Sequence, residues 1–138
     1  MTNLHSESIK DVHKHVNPAA QFDRAIYLAA KNGHTEVVKL LLTDKRVSPT
    51  SINISIIIWA AGNGHTDIVE KLLADERVDP ASDNNEAIII AARNGHTDIV
   101  KKLLADKRVN PGARDNLAII LASSHGHTDI VKLLLAYK

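Results

Sequence analysis

The sequence predicts an all-α solenoid in which four copies of one helix–turn–helix unit stack in chain order. The first observation behind this prediction is the tetrapeptide Gly-His-Thr-Glu/Asp, which recurs every 31 residues, at Gly33, Gly64, Gly95 and Gly126. The second is that all four prolines follow the same period, each two residues after a valine. The third is that two short helices cannot bury enough apolar surface alone, so repeated pairs must share a continuous core.

The segment before each Gly-His pair is predicted to be the first helix of its unit. Gly33 and its equivalents supply the left-handed residue that commonly follows a helix. In the second copy, residues 54–59 are rich in isoleucine and, taken alone, favour a β-strand. The paired alanines of the equivalent segments favour a helix in all four copies. In the first copy the predicted buried stripe is Ala25, Ile26, Ala29 and Ala30.

The segment after each Gly-His pair is predicted to be the second helix. Thr35 is expected to be its N-cap, and Glu36 places a carboxylate at the positive end of the helix dipole. Four apolar residues then fall on one face of the helix, and the other copies repeat this pattern. In the first copy these residues are Val37, Val38, Leu41 and Leu42.

The repeats define the predicted domain organisation. Residues 16–138 are expected to form one repeat domain, with repeats at about 16–46, 47–77, 78–108 and 109–138. Residues 1–15 lack the motif and are expected to be a polar segment or a short capping helix. Between units, each proline disfavours a helix in the residue before it, which predicts short hairpins or loops as connectors.

Composition and charge limit the classes of function. The formal net charge is only +1, from 17 basic and 16 acidic residues, which argues against a nucleic-acid or anionic-membrane partner. The longest apolar run, residues 56–61, is too short to cross a bilayer. Residues 1–14 contain no apolar stretch typical of a secretory signal. We therefore expect a cytoplasmic or otherwise intracellular protein.

The sequence contains no pattern typical of an active site. We find no phosphate-binding glycine loop and no triad of catalytic residues that is independent of the repeat, so we expect no enzyme activity and no cofactor. The repeated histidines His34, His65, His96 and His127 are expected to lie about 10 Å apart when the units stack. A zinc site needs ligand nitrogens about 2 Å from one ion, so these histidines are expected to make hydrogen bonds at the turns instead.

The segment from Leu28 to Leu42 resembles the central helix–turn–helix of an ankyrin repeat, and the resemblance recurs in all four copies over about residues 16–138. It implies an ankyrin-type solenoid and a non-enzymatic scaffold or adaptor that binds another protein on its concave face. Two departures concern the connectors. The period is shorter than the usual 33 residues by one residue on each side of Val47, and the family's Thr-Pro-Leu-His opening of the first helix is replaced.

Positions that differ between the copies are the predicted partner-binding residues, because positions that stay fixed serve the stacking. The alternative is that the variable positions are merely exposed and unconstrained. Trp59 is expected to be partly buried or to anchor a partner. The predicted set is Gln21, Arg24, Lys31, Ile52, Ser55, Trp59, Asp83, Glu86, Arg93, Arg114, Leu117 and Ser124.

Two further interpretations of the repeat remain open. Leu40 and Leu133 stand in the end copies where the inner copies have Lys71 and Lys102, so the chain could be a self-associating structural unit. It could also be a regulatory repeat fragment of a larger protein. The partner is expected to be another protein, and the chain is expected to be a monomer or a weak homo-oligomer.

Overall fold

The structure is a computed structural model that describes residues 18–48 and 55–137. These residues form four helix pairs and contain no strand, which confirms the predicted all-α repeat architecture. The expectation for residues 1–15 lies outside the described residues, as does Ile52. The helices are α1 Pro18–Lys31, α2 Thr35–Leu42, α3 Ile56–Gly62, α4 Thr66–Leu73, α5 Ser82–Asn94, α6 Thr97–Leu104, α7 Ala113–Ser124 and α8 Thr128–Ala136.

The helix pairs stack in chain order. The first helices of the pairs, α1, α3, α5 and α7, each pack on the next, and we call them the inner helices. The second helices, α2, α4, α6 and α8, form a parallel row in the same order, and we call them the outer helices. Each inner helix also packs on the outer helix of its own pair. The core is therefore shared between neighbouring repeats, as the repeat pattern predicts.

The turn between the two helices of a pair depends on its glycine. Gly33 has a φ of +78°, a left-handed conformation that costs glycine little. Thr35 donates its backbone N–H to the Gly33 carbonyl at 3.1 Å and is the first residue of α2. The prediction that Thr35 is the N-cap is therefore wrong. His34 occupies that position without a side-chain cap, because the left-handed glycine reverses the chain one residue earlier.

The inner helices carry most of the small buried residues. Ile26, Ala29 and Ala30 are buried as predicted, whereas Ala25 is exposed in the first copy. Residues 56–58, whose isoleucines alone favour a strand, lie in α3 and are all buried. Tertiary packing on both sides of this helix outweighs the strand preference of β-branched residues.

The inner helices of the third and fourth repeats begin with a left-handed turn of three residues. Asp83, Asn84 and Asn85 have φ between 53° and 65°, and residues 114–116 repeat this conformation. Asparagine and aspartate adopt it more readily than most residues. Asn85 is buried, and its Oδ1 accepts the backbone N–H of Asn110 at 2.8 Å. The turn therefore ties the start of α5 to the connector after its own repeat.

Candidate functional site

The repeated histidines join neighbouring repeats. Nε2 of His65 lies 3.2 Å from the carbonyl oxygen of Lys31, and Nε2 of His127 lies 2.9 Å from that of Arg93. His96 makes the equivalent contact with Gly62, at 3.1 Å. Each acceptor lies in the last turn of an inner helix, where carbonyls lack helical partners. The prediction of hydrogen bonding at the turns is confirmed, but each bond crosses to the preceding repeat.

The Asp–Arg pairs of the connectors also join repeats. Asp75 accepts two hydrogen bonds from the Arg77 side chain, at 3.0 and 2.7 Å. The same guanidinium donates to the carbonyl of Leu42, at 2.9 Å, at the end of α2 in the preceding repeat, and to that of Val47, at the start of its own repeat. A guanidinium can do this because it carries five donors in a rigid plane. The aspartate thus holds the arginine in position to reach the preceding repeat.

The arginines lower the pKa of the connector aspartates. The side-chain hydrogen bond from Arg46 is the main cause that lowers the pKa of Asp44 to about 2. The pKa values of Asp75 and Asp106 are lowered too, first by the side-chain hydrogen bonds from Arg77 and Arg108. These carboxylates are therefore ionised at neutral pH and serve as structural groups of the repeat.

The predicted partner-binding residues differ in exposure. Ser55 is buried, and Trp59, Glu86 and Leu117 are half-buried. Ile52 lies outside the described residues. The exposed members lie on or just before the inner helices, and we call the surface they form with Trp59 the inner-helix face. These exposed members are Gln21, Arg24, Lys31, Asp83, Arg93, Arg114 and Ser124.

Two residues of the predicted set bind each other. Nη1 of Arg114 donates to Oε2 of Glu86 at 2.6 Å, and the same guanidinium donates to the Asp83 carbonyl. Arg114 belongs to the fourth repeat, whereas Glu86 and Asp83 belong to the third. The pair therefore cross-links two neighbouring repeats along this face.

Trp59 forms the side of an apolar concavity on the inner helices. Its ring meets the ring of Tyr27 edge to face, with centroids 5.7 Å apart, and Nζ of Lys31 lies 5.8 Å from its centroid. The Nε1 atom is buried and has no hydrogen-bond partner among the described residues, so the ring contributes apolar surface. Partial burial of Trp59 is confirmed.

A glycine is among the residues that line the concavity. Gly62 stands where the other repeats have Lys31, Arg93 and Ser124. A Cβ at Gly62 would lie 2.9 Å from Cδ1 of Ile90, so the Ile90 side chain packs directly on this glycine and any side chain there would displace it. The concavity has a volume of about 240 Å³ and is lined by Ile58, Trp59, Gly62, Asn63, Ile90 and Asn94. Trp59 is among the predicted partner-binding residues, whereas Gly62 stands at a variable position of the predicted binding face but is not in the predicted set.

The described residues contain neither a cluster of metal ligands nor a helix that could span a membrane. Within residues 18–48 and 55–137, no three histidine, cysteine or acidic side chains come together in a way that could hold a metal ion. Among the same residues, no helix combines the length and the apolar character needed to cross a bilayer.

Comparisons with known proteins identify the family. The family model for ankyrin repeats (3 copies) matches residues 3–83, 26–115 and 57–138, which together cover nearly the whole chain. The comparison with curated proteins gives no match. Ankyrin repeats generally mediate protein–protein interaction and are typically non-enzymatic. With its sequential helix pairs, Gly-His turns and family match, the chain belongs to the ankyrin-repeat family.

Proposed function

We propose that this chain is a non-enzymatic scaffold that binds a segment of another protein on its inner-helix face. The observation that carries the proposal is the apolar concavity around Gly62, which lies beside the exposed Lys31 side chain. Its volume of about 240 Å³ is below the roughly 300–1,000 Å³ of small-molecule sites, so it suits one apolar side chain. Aromatic side chains such as Trp59 are favoured anchors in protein interfaces.

The charges beside the concavity favour an acidic partner segment. Arg24, Lys31 and Arg93 are exposed on this face, whereas Asp83 is the exposed acidic residue of the predicted set. The Arg114 charge is already balanced by Glu86. We therefore expect a partner with one apolar anchor flanked by Asp or Glu, because complementary charges steer association and exclude other partners.

Selection from a random-peptide display library tests this proposal. With the whole chain as bait, the enriched peptides should share an apolar residue with acidic neighbours. Exchange of Lys31 and Arg93 for Glu should abolish binding of these peptides. The matched control exchanges Lys39 and Lys101 for Glu, which makes the same charge change at two exposed positions on the outer helices α2 and α6. Equal loss of binding in the control, or enrichment of basic peptides, would contradict the proposal.

Gly62→Ala separates binding from folding. Gly62 lies at the end of α3 without a left-handed φ, and the atom that its Cβ would displace is the mobile tip of Ile90. Alanine is better than glycine in a helix by up to about 1 kcal/mol, so the free energy of unfolding should stay the same or rise. Peptide affinity should nevertheless fall at least about tenfold, because the added methyl group displaces Ile90, which lines the concavity, and so changes its shape. Unchanged affinity would place the binding site elsewhere.

A further inference from the structure

The two ends of the stack present complementary surfaces. At each internal junction, the earlier repeat offers a glycine and a carbonyl oxygen, and the later repeat offers a histidine ring. At the first of these three junctions, the His65 ring lies over Gly33 and its Nε2 bonds to the Lys31 carbonyl. We call the histidine side of a repeat its leading face and the glycine side its trailing face.

No other described residues cover the leading face of the first repeat. Val37 is 48% exposed, whereas its equivalents in the three later repeats, Ile68, Ile99 and Ile130, are 0% exposed because the preceding repeat covers them. Leu28 is exposed on this side as well, and so is the His34 ring. Large apolar residues are normally covered in a soluble protein when they cluster in this way.

Among the residues that the structure describes, the trailing face of the fourth repeat is uncovered too. Ile120 is 54% exposed, whereas its equivalents Ile58 and Ile89 are 6% and 3% exposed beneath the following repeat. Leu135 is 70% exposed. A Cβ on Gly126 would meet nothing within 4 Å, although the three other turn glycines each face a histidine ring.

We propose that the trailing face of one chain receives the leading face of a second copy of the same chain. The junction continues the three internal junctions: His34 of the second copy lies over Gly126 and donates to the carbonyl of Ser124. Leu28 of the second copy meets Ile120, in the same relation as Trp59 to Tyr27 within the chain. The occupant is a second copy because this chain itself carries the complementary donors and apolar residues.

The geometry determines how the assembly grows. Because the two faces differ, the contact is head to tail, and each added chain leaves one face of each kind open. Growth is therefore linear and does not stop at a dimer. The contact lies at the ends of the stack, and its tests use no partner protein.

Light scattering over a concentration series tests the proposal. The average mass of the chain should rise steadily between about 1 μM and about 1 mM, the range of weak association. Val37→Lys and Ile120→Glu should each hold the mass at that of the monomer. Ala105→Glu changes an exposed position in the third repeat, away from both ends of the stack, and should leave the growth in mass unchanged. A constant monomer mass for the unaltered chain, or growth that ends at a dimer, overturns the proposal.

A mixture of the two end variants identifies the head-to-tail arrangement. The Val37→Lys chain keeps its trailing face, and the Ile120→Glu chain keeps its leading face. Mixed in equal amounts, they should form a dimer that grows no further. A mixture that stays monomeric, although circular dichroism shows both variants folded, contradicts the proposed contact.

Engineered cysteines give an independent readout, since the chain has no cysteine of its own. Leu28→Cys combined with Ile120→Cys should produce a ladder of disulfide-linked multimers under oxidation, which reduction reverses. Each single-cysteine variant should remain mostly unlinked. An efficient dimer of the Ile120→Cys single variant would indicate that two trailing faces meet, and would overturn the head-to-tail arrangement.

Discussion

His96 lies against Gly64 of the preceding repeat, with its Cε1 atom 2.8 Å from the position that a Cβ on Gly64 would occupy. Gly64 also has a φ of +76°, in the left-handed region. Two independent constraints therefore select glycine at this turn: the reversal of the chain and the ring of the next repeat. The same relation joins Gly95 to His127.

Gly64→Ala should lower the free energy of unfolding by more than the roughly 1–2 kcal/mol that a left-handed residue costs, because its Cβ also collides with the His96 ring. Urea unfolding followed by circular dichroism measures the change. Gly126→Ala is the matched control, since Gly126 has the same φ of +76° but open space around it. An equal decrease in the free energy of unfolding of both variants would mean that the His96 ring moves aside without destabilising the fold.

His65→Ala should lower the free energy of unfolding by about 1 kcal/mol, the net contribution of a typical hydrogen bond, because the Lys31 carbonyl loses its donor. Thermal unfolding at low protein concentration measures the effect on single chains. His34→Ala should have a smaller effect, since His34 is exposed and has no repeat before it among the described residues. A larger loss for His34→Ala would contradict the role given to the inter-repeat bonds.

Arg77→Lys should destabilise the chain by about 1–2 kcal/mol, although it keeps the charge. An ammonium group cannot bond Asp75 and reach the carbonyls of Leu42 and Val47 at once. Arg46→Lys is the comparison, because Arg46 bonds Asp44 of its own repeat and lies 4.2 Å from the Phe22 ring. Urea unfolding should show a greater decrease in the free energy of unfolding for Arg77→Lys than for Arg46→Lys. An equal decrease would mean that the bonds of Arg77 to the carbonyls of Leu42 and Val47 add no stability.

The repeat itself could be predicted from the sequence because its glycine, histidine and proline spacing needs no three-dimensional information. The hydrogen bonds and ion pairs that cross from one repeat to the next could not be predicted from the sequence. Asp75 and Arg77, two residues apart, give the same local pattern whether or not the arginine reaches the preceding repeat. Variation between the copies places Glu86 and Arg114 among the predicted partner-binding residues, yet in the structure these two side chains bind each other as an ion pair. Only the offset between stacked helices reveals that these two positions meet.

Acid should weaken the fold through the connector aspartates. A carboxyl group whose pKa is lower in the folded chain stabilises the fold above its unfolded pKa, and this stabilisation is lost as the pH falls. For Asp44 the window runs from its ordinary pKa of 3.8 down to about 2, and the pKa values of Asp75 and Asp106 are lowered in the same direction. The melting temperature should therefore fall as the pH decreases from about 4 to about 2.

The control for this acid transition is the chain with Asp75→Asn and Asp106→Asn together. This variant should be less stable at neutral pH and should lose less melting temperature over the same acid range, because two of the titrating groups are gone. Thermal unfolding at a series of pH values measures both slopes. An acid slope as steep as that of the unaltered chain would show that other carboxylates control the transition.

Asn85→Ala should lower the free energy of unfolding by about 2 kcal/mol or more, for two reasons. The backbone N–H of Asn110 loses its acceptor, and alanine tolerates the φ of +65° less well than asparagine. Asn116→Ala should lower the free energy of unfolding only through the left-handed backbone, because Asn116 has a φ of +67° but its side chain is exposed. Asn85→Asp should restore most of the stability, since Asp23 accepts the Ser48 N–H at the equivalent place in the first repeat. Equal losses for Asn85→Ala and Asn116→Ala in urea unfolding would show that the side-chain bond to the connector contributes nothing.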